Sequence, residues 1–136
     1  MTISAAPLVS MACHCRDCQR LTSGAYSLTM LVPEAGFAVE GETEIGGLHK
    51  PEGRHFFCAH CKSWLYSQWA PLQGIVNFRP TMLENASWVA PFVETVVSDK
   101  LPGVKTGAKH SYTQFPPPED FPGLMEEYAR EGARPG

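Results

Sequence analysis

The most informative stretch of the sequence is a cysteine-rich motif near its start, Cys13-His14-Cys15-Arg16-Asp17-Cys18. Cysteines at positions i, i+2 and i+5 can converge on one ion when the chain turns tightly between them. Thiolates suit zinc, which accepts tetrahedral geometry without redox chemistry. The motif therefore predicts a zinc site held by Cys13, Cys15 and Cys18. His14 is expected to hydrogen-bond a neighbouring group rather than bind the same ion, with an exposed loop position as the alternative.

The fourth position of this site decides between two interpretations. Three local ligands leave one tetrahedral position free, and an open position is typical of a catalytic zinc. We expect that open position. In the alternative, a more distant side chain fills it and the zinc only holds the turn. The candidates for that fourth ligand are His49, His55, His60, His110 and Asp17.

A second cysteine pair occurs in Cys58-Ala59-His60-Cys61. A C-x-x-C between two strands is typical of half a zinc site, because a structural zinc needs four protein ligands. We include Cys58 and Cys61 among the metal ligands, either sharing the first zinc or left without partners. A thioredoxin-like redox pair would need a βαβ context, which the flanking pattern lacks.

Composition and charge exclude several classes of protein. The chain has 136 residues, of which 43% are hydrophobic and 18% charged, and we expect one globular domain over residues 1–136. The net charge is −3 and the basic residues are scattered, whereas nucleic-acid binding needs them on one face. Neither a signal peptide nor a stretch long enough to span a membrane is recognisable. We expect a cytoplasmic protein without nucleic-acid or membrane partners, and its oligomeric state stays open. In that compartment five cysteines indicate a metal-binding or catalytic role rather than disulfides.

The remaining pattern predicts a mainly β fold with one C-terminal helix. Short segments rich in β-branched and aromatic residues predict strands at 26–32, 37–40, 55–58, 75–79 and 93–97. The helix is predicted from an apolar stripe at helical spacing, with Asp120 as its capping residue and Gly132 just past its end. The stripe consists of Phe121, Leu124, Met125 and Tyr128.

Residues 13–20, with Ser23-Gly24-Ala25-Tyr26 after them, resemble the signature of the glutathione-dependent formaldehyde-activating enzyme family, which also contains the centromere protein V domain. Residues 57–67 are similar to the second motif of that family. Residues 83–88 and 115–122 fit as well, so the resemblance covers nearly the whole chain.

The resemblance implies an Mss4-like fold of several short coiled antiparallel sheets, with two zinc ions in a typical member. One, catalytic, would be held by Cys13, Cys15 and Cys18. The other, structural, would use Cys58, Cys61 and an upstream C-x-C-G. The sequence begins at about the point where that segment should end, so we expect a domain truncated at its N-terminus, with the second site half built. Lys62 stands where many members have Gly, in a turn that favours positive φ.

The resemblance also implies an activity, that of a carbon–sulfur lyase that joins glutathione to formaldehyde as S-hydroxymethylglutathione. Zinc would be the cofactor and would activate the thiol, with no catalytic side chain beyond its ligands. Glutathione and an aldehyde would be the small-molecule partners. By adjacency to the cluster, the candidate substrate contacts are Gln19, Thr22, Ser23 and Tyr26. The alternative is a zinc-stabilised binding module without turnover.

Overall fold

The computed structural model of the protein describes residues 1–135, except for the side chain of His49. Within this range the chain forms ten strands, two α-helices and four short 3-10 turns. No helix in residues 1–135 is long and apolar enough to cross a membrane. The strands are β1 (Thr2–Ile3), β2 (Val9–Cys13), β3 (Ser27–Pro33), β4 (Phe37–Ala38), β5 (Thr43–Lys50), β6 (Gly53–Cys58), β7 (Trp64–Trp69), β8 (Ile75–Phe78), β9 (Val93–Thr95) and β10 (His110–Ser111); the helices are α1 (Arg16–Thr22) and α2 (Phe121–Glu131).

The strands form two sheets. One is a two-stranded antiparallel pair of β1 and β4, and the other has eight strands in the order β10-β9-β2-β3-β8-β7-β6-β5. Pairing in the large sheet is antiparallel from β2 to β5, whereas β9 is parallel to both of its neighbours, β2 and β10. The predicted mainly β class with a C-terminal helix is confirmed.

The predicted strands correspond to β3, β4, β6, β8 and β9, with boundaries that differ by at most two residues. The pattern missed the central strand β2. All five of its residues are buried, so neither face shows the alternation that marks a half-exposed strand. It also missed β5, which contains two adjacent glycines and charged residues, both unfavourable in strands.

Both faces of the large sheet are covered. On one face Val9 and Leu31 belong to a cluster that includes Leu124 and Tyr128 of helix α2, as the apolar stripe predicted. The opposite face carries a second cluster of buried residues, which contains Met30, Val32, Val76 and Phe78. The metal motif begins at the end of β2, the strand that contributes Val9 and Met11 to the first cluster.

The capping role predicted for Asp120 is wrong. An N-cap residue needs an extended backbone, whereas Asp120 has helical angles (φ −82°, ψ −24°) at the end of a 3-10 turn. Its carboxylate accepts the Tyr112 hydroxyl at 3.0 Å instead. Gly132 does follow the last helical residue, and its N–H donates to the Tyr128 carbonyl at 2.8 Å.

The turn between β6 and β7 holds Lys62 in the left-handed region, at φ 62°, as the family pattern indicated. Its N–H donates to the Cys58 carbonyl at 2.9 Å, which closes the turn. A side chain costs roughly 1 kcal/mol in this conformation, whereas glycine adopts it freely. The Lys62 ammonium pairs with Glu44 at 2.6 Å, but both groups are exposed, so the pair adds little stability.

We predict that Lys62→Gly stabilises the protein by about 0.5–1 kcal/mol, because it removes the left-handed strain. Lys62→Ala is the matched control, since it also removes the Glu44 pair but keeps a β-carbon. Urea denaturation measures both variants. Equal stabilities of the two would show that the backbone at this position is not strained.

Candidate metal centre

Three thiols converge at the end of β2. Cys13 is the last residue of that strand, Cys15 lies in the link that follows, and Cys18 lies in the first turn of α1. Their three Sγ atoms all lie within 4.8 Å of one another. No other group of three or more His, Cys, Asp or Glu donors with this spacing occurs among the described side chains. Three thiol donors at this separation fit a thiophilic ion such as zinc.

Helix α1 places two of these thiols. Cys15 is its N-cap residue, with extended backbone angles, and its Sγ accepts the Cys18 N–H at 3.3 Å. The first turn of α1 thus brings the sulfurs of Cys15 and Cys18 close together. The sequence pattern missed this helix because it has only seven residues and because cysteine is not a usual capping residue. The available signals were Asp17 in its first turn and Ser23-Gly24 after its end.

Hydrogen bonds within the cluster separate the acidities of the three thiols. Those from Cys13 and Cys18 lower the pKa of Cys15 to about 2. Donating a hydrogen bond to Cys15 raises the pKa of Cys13, and the contacts with Cys13 and Cys15 together with burial raise the pKa of Cys18. The Ser27 hydroxyl also donates to the Cys18 sulfur at 3.0 Å. A divalent cation at this position would displace the protons that the thiols still hold.

The side chains considered as a fourth ligand do not join this group, as far as the structure describes them: Asp17, His55, His60 and His110. Asp17 forms an ion pair with Lys50. His110 is paired with Glu127 at 2.7 Å. The side chain of His49 lies outside the described part of the chain.

Residues 1–99 match the glutathione-dependent formaldehyde-activating enzyme family. The chain belongs to this family. The match covers both cysteine motifs, helix α1 and strands β1–β9, whereas the resemblance noted at residues 115–122 lies beyond the matched range. No curated protein matches the chain.

The second cysteine pair of this family member lies apart from the first cluster. Cys61 is exposed, and its sulfur is 3.2 Å from the Ser63 hydroxyl, a contact that lowers the pKa of the thiol. Cys58 and Cys61 line an open cavity of about 680 Å³ together with His60. The structure therefore does not bring these two thiols into the three-thiol group.

Two of the expected substrate contacts are engaged in holding α1. The buried Gln19 amide donates to the His14 carbonyl at 2.7 Å and to the Asp99 carbonyl at 3.0 Å. The Thr22 hydroxyl donates to the Cys18 carbonyl at 2.7 Å, within the helix. Both side chains therefore fix the helix that carries the thiols.

The other two expected contacts lie just past this helix. Ser23 ends α1 in the left-handed conformation, at φ 51°, and its side chain is exposed. The Tyr26 ring is half-buried and lies 5.5 Å from the His14 ring, measured between centroids. The Ser23 hydroxyl is therefore accessible to solvent.

A buried polar network next to the cluster was missed at the sequence level. His14 is fully buried, so the loop alternative is wrong, and its Nε2 lies 3.0 Å from a Glu94 carboxylate oxygen, which confirms its expected hydrogen bond. Glu94 also accepts from Ser111, Thr106 and Lys100 at 2.7, 2.9 and 3.2 Å. Burial alone would raise the pKa of Glu94, but hydrogen bonds from these four side chains outweigh it and lower the pKa to about 2. No sequence signal pairs His14 with a residue 80 positions away.

The Glu94 network predicts a defined acid sensitivity. Its pKa falls from an ordinary 4.5 to about 2 on folding, so the carboxylate stabilises the fold above about pH 4.5. That contribution is lost as the pH falls from about 4.5 to 2. We expect Glu94→Gln to lower stability at pH 7 by about 2–3 kcal/mol and to flatten the pH dependence in this window.

Urea denaturation at pH 7, 5, 4 and 3 measures this effect, with unsubstituted protein and variant in the same buffers. Glu126→Gln is the control, because the Glu126 side chain is 77% exposed. Parallel pH profiles for the unsubstituted protein and Glu94→Gln would contradict the prediction.

Proposed function

We propose that the chain holds a zinc ion with Cys13, Cys15 and Cys18 and joins a thiol to formaldehyde or a related aldehyde. Glutathione is the proposed thiol, since it belongs to the description of the family that residues 1–99 match. The observation that carries the proposal is the convergence of three sulfurs within 4.8 Å, with no fourth His, Cys, Asp or Glu ligand among the described side chains. This donor set leaves a tetrahedral position for a substrate sulfur.

The proposed reaction is an addition. A C–S bond forms between the thiol sulfur and the carbonyl carbon, and the thiol proton ends on the former carbonyl oxygen. When bound, the zinc ion would supply thiol activation, because coordination favours the deprotonated sulfur. In the direction of breakdown this is a carbon–sulfur lyase.

The protein's own residues keep the ligand set in place. The Ser27 hydroxyl orients the Cys18 sulfur, and the Cys18 N–H orients that of Cys15. Gln19 donates to two backbone carbonyls, so the helix that places Cys15 and Cys18 is anchored to the link after β2 and to the 3-10 turn after β9. Such anchoring supports a site whose geometry is set before substrate arrives.

The finer assignments belong to the same proposal. Substrate contacts are proposed for Gln19, Thr22, Ser23 and Tyr26, of which Thr22 and Ser23 are exposed beside the cluster. Cys58 and Cys61 would need additional ligands to hold a metal ion, because two thiolates fill half a tetrahedral site. A cytoplasmic location is part of the proposal, since the site needs its thiols reduced.

We predict about one zinc per chain in protein purified without chelator, lost in Cys15→Ser and retained in Cys61→Ser. The first substitution breaks the three-thiol group, whereas the second removes an exposed thiol outside it. Elemental analysis with protein quantified by absorbance measures the ratio. Loss of zinc in both variants would mean that the two motifs depend on one shared metal, contrary to the proposal.

We predict that the protein accelerates exchange between glutathione and its S-hydroxymethyl adduct in the presence of formaldehyde. Exchange NMR measures this above the spontaneous rate, and Cys15→Ser should return it to that rate. Glu126→Gln, on the exposed face of α2, controls for nonspecific effects. A protein that binds zinc but leaves the exchange rate unchanged would be the binding module considered as the alternative.

A further inference from the structure

A buried arginine lies on the metal-motif side of the large sheet. Arg79 follows strand β8 and is only 5% exposed. Its Nη2 donates to the Thr29 hydroxyl at 2.8 Å and to the Asn77 side chain. The guanidinium stacks on Trp64, 3.8 Å from the ring centroid, and its Nε is buried without a hydrogen-bond partner.

Arg79 has no acidic partner in residues 1–135, where no carboxylate lies within 4 Å of its guanidinium. Burial lowers the pKa of Arg79 to about 10, so the group is still a cation at neutral pH. A buried cation without a counter-charge is strongly destabilising, and arginine does not escape by losing its proton. The structure therefore requires a source of negative charge near this residue.

With a metal ion bound, the thiolates of the cysteine cluster would be that source. Thr29, which accepts from Arg79, lies two residues along β3 from Ser27 and on the same face of the strand. Ser27 contacts the Cys18 sulfur and is the register partner of Cys13 on β2. Deprotonation of Cys18 and Cys13, which a bound metal ion would bring about, would place negative charge on the side of the sheet that holds the Arg79 cation.

The net charge of a metal-loaded cluster indicates how the Arg79 cation would act on it. A zinc ion with three thiolates carries a net charge of about −1, which one arginine neutralises, and a fourth thiolate would make it −2. A fixed cation nearby favours the more negative state. The same cation would not strengthen the binding of a neutral fourth ligand, such as water or imidazole, to a comparable degree.

We propose that Arg79 is a specificity-determining residue that makes the metal centre prefer an anionic thiolate over a neutral ligand in its fourth position. This inference rests on the proposed function, because it assumes a metal held by Cys13, Cys15 and Cys18. It goes beyond that proposal in assigning the choice of the fourth ligand to a side chain that is not itself a ligand.

The test uses the full chain loaded with Co²⁺, whose absorption spectrum reports each ligand that joins the centre. The probes are 2-mercaptoethanol, a thiol without other charges, and imidazole as a neutral ligand. Arg79→Met removes the charge and keeps an apolar chain against Trp64, whereas Arg79→Lys keeps the charge. We expect Arg79→Met to weaken 2-mercaptoethanol binding by about tenfold or more and to leave imidazole binding within about twofold. Arg79→Lys should retain most of the affinity for the thiol.

The outcomes separate this inference from the proposed function. Failure of the unsubstituted cobalt protein to bind 2-mercaptoethanol would overturn the open site and the inference with it. Thiol binding that is equal in unsubstituted protein and Arg79→Met would overturn only the role of Arg79. Equal loss of both probes in Arg79→Met, or failure of both variants to hold cobalt, would show that Arg79 acts by packing and would overturn the inference. Cobalt held by Arg79→Lys but not by Arg79→Met would support a charge requirement at the centre.

Discussion

The pairing of β2 with both β3 and β9 is the constraint on which the metal centre depends. Cys13, the last residue of β2, is in register with Ser27 on one side and with Thr95 on the other. The first pairing brings the Ser27 hydroxyl to the Cys18 sulfur. The second places Glu94 beside His14. Because β2 is buried along its whole length, a shift of one residue would misplace each of these groups.

The two cysteine motifs differ in how the fold supports them. The first motif joins a buried strand to a capped helix. A hydroxyl and a backbone N–H contact its sulfurs, and the Gln19 amide holds the helix in place. The second lies in a turn, where Cys61 is exposed and one hydroxyl, that of Ser63, contacts its sulfur. Support of this kind positions ligands before a metal arrives, so the fold favours the first motif as the reactive centre.

The features of the fold and the site that the sequence could predict are those whose residues lie close together along the chain. The three thiols lie within residues 13–18, so their convergence is visible in the motif. The β-branched strands and the apolar stripe of α2 are likewise local patterns. Helix α1 was missed because it is short, and Asp120 was misassigned because a 3-10 turn precedes α2. Glu94 and Arg79 could not be found in this way, since their partners at the site lie 80 and 50 positions away.

The same contrast between local and distant contacts has a consequence for the order of folding. The thiols can meet as soon as one short loop closes, whereas the pairing of β2 with β9 must close a loop of about 80 residues. A metal ion can therefore associate with the motif while the large sheet is still incomplete. Binding to such unfolded chains reduces the net stabilisation that the ion gives the native state. An ion bound at that stage would link β2 to α1, whereas the Ser27 hydroxyl would reach the Cys18 sulfur only once β3 pairs with β2.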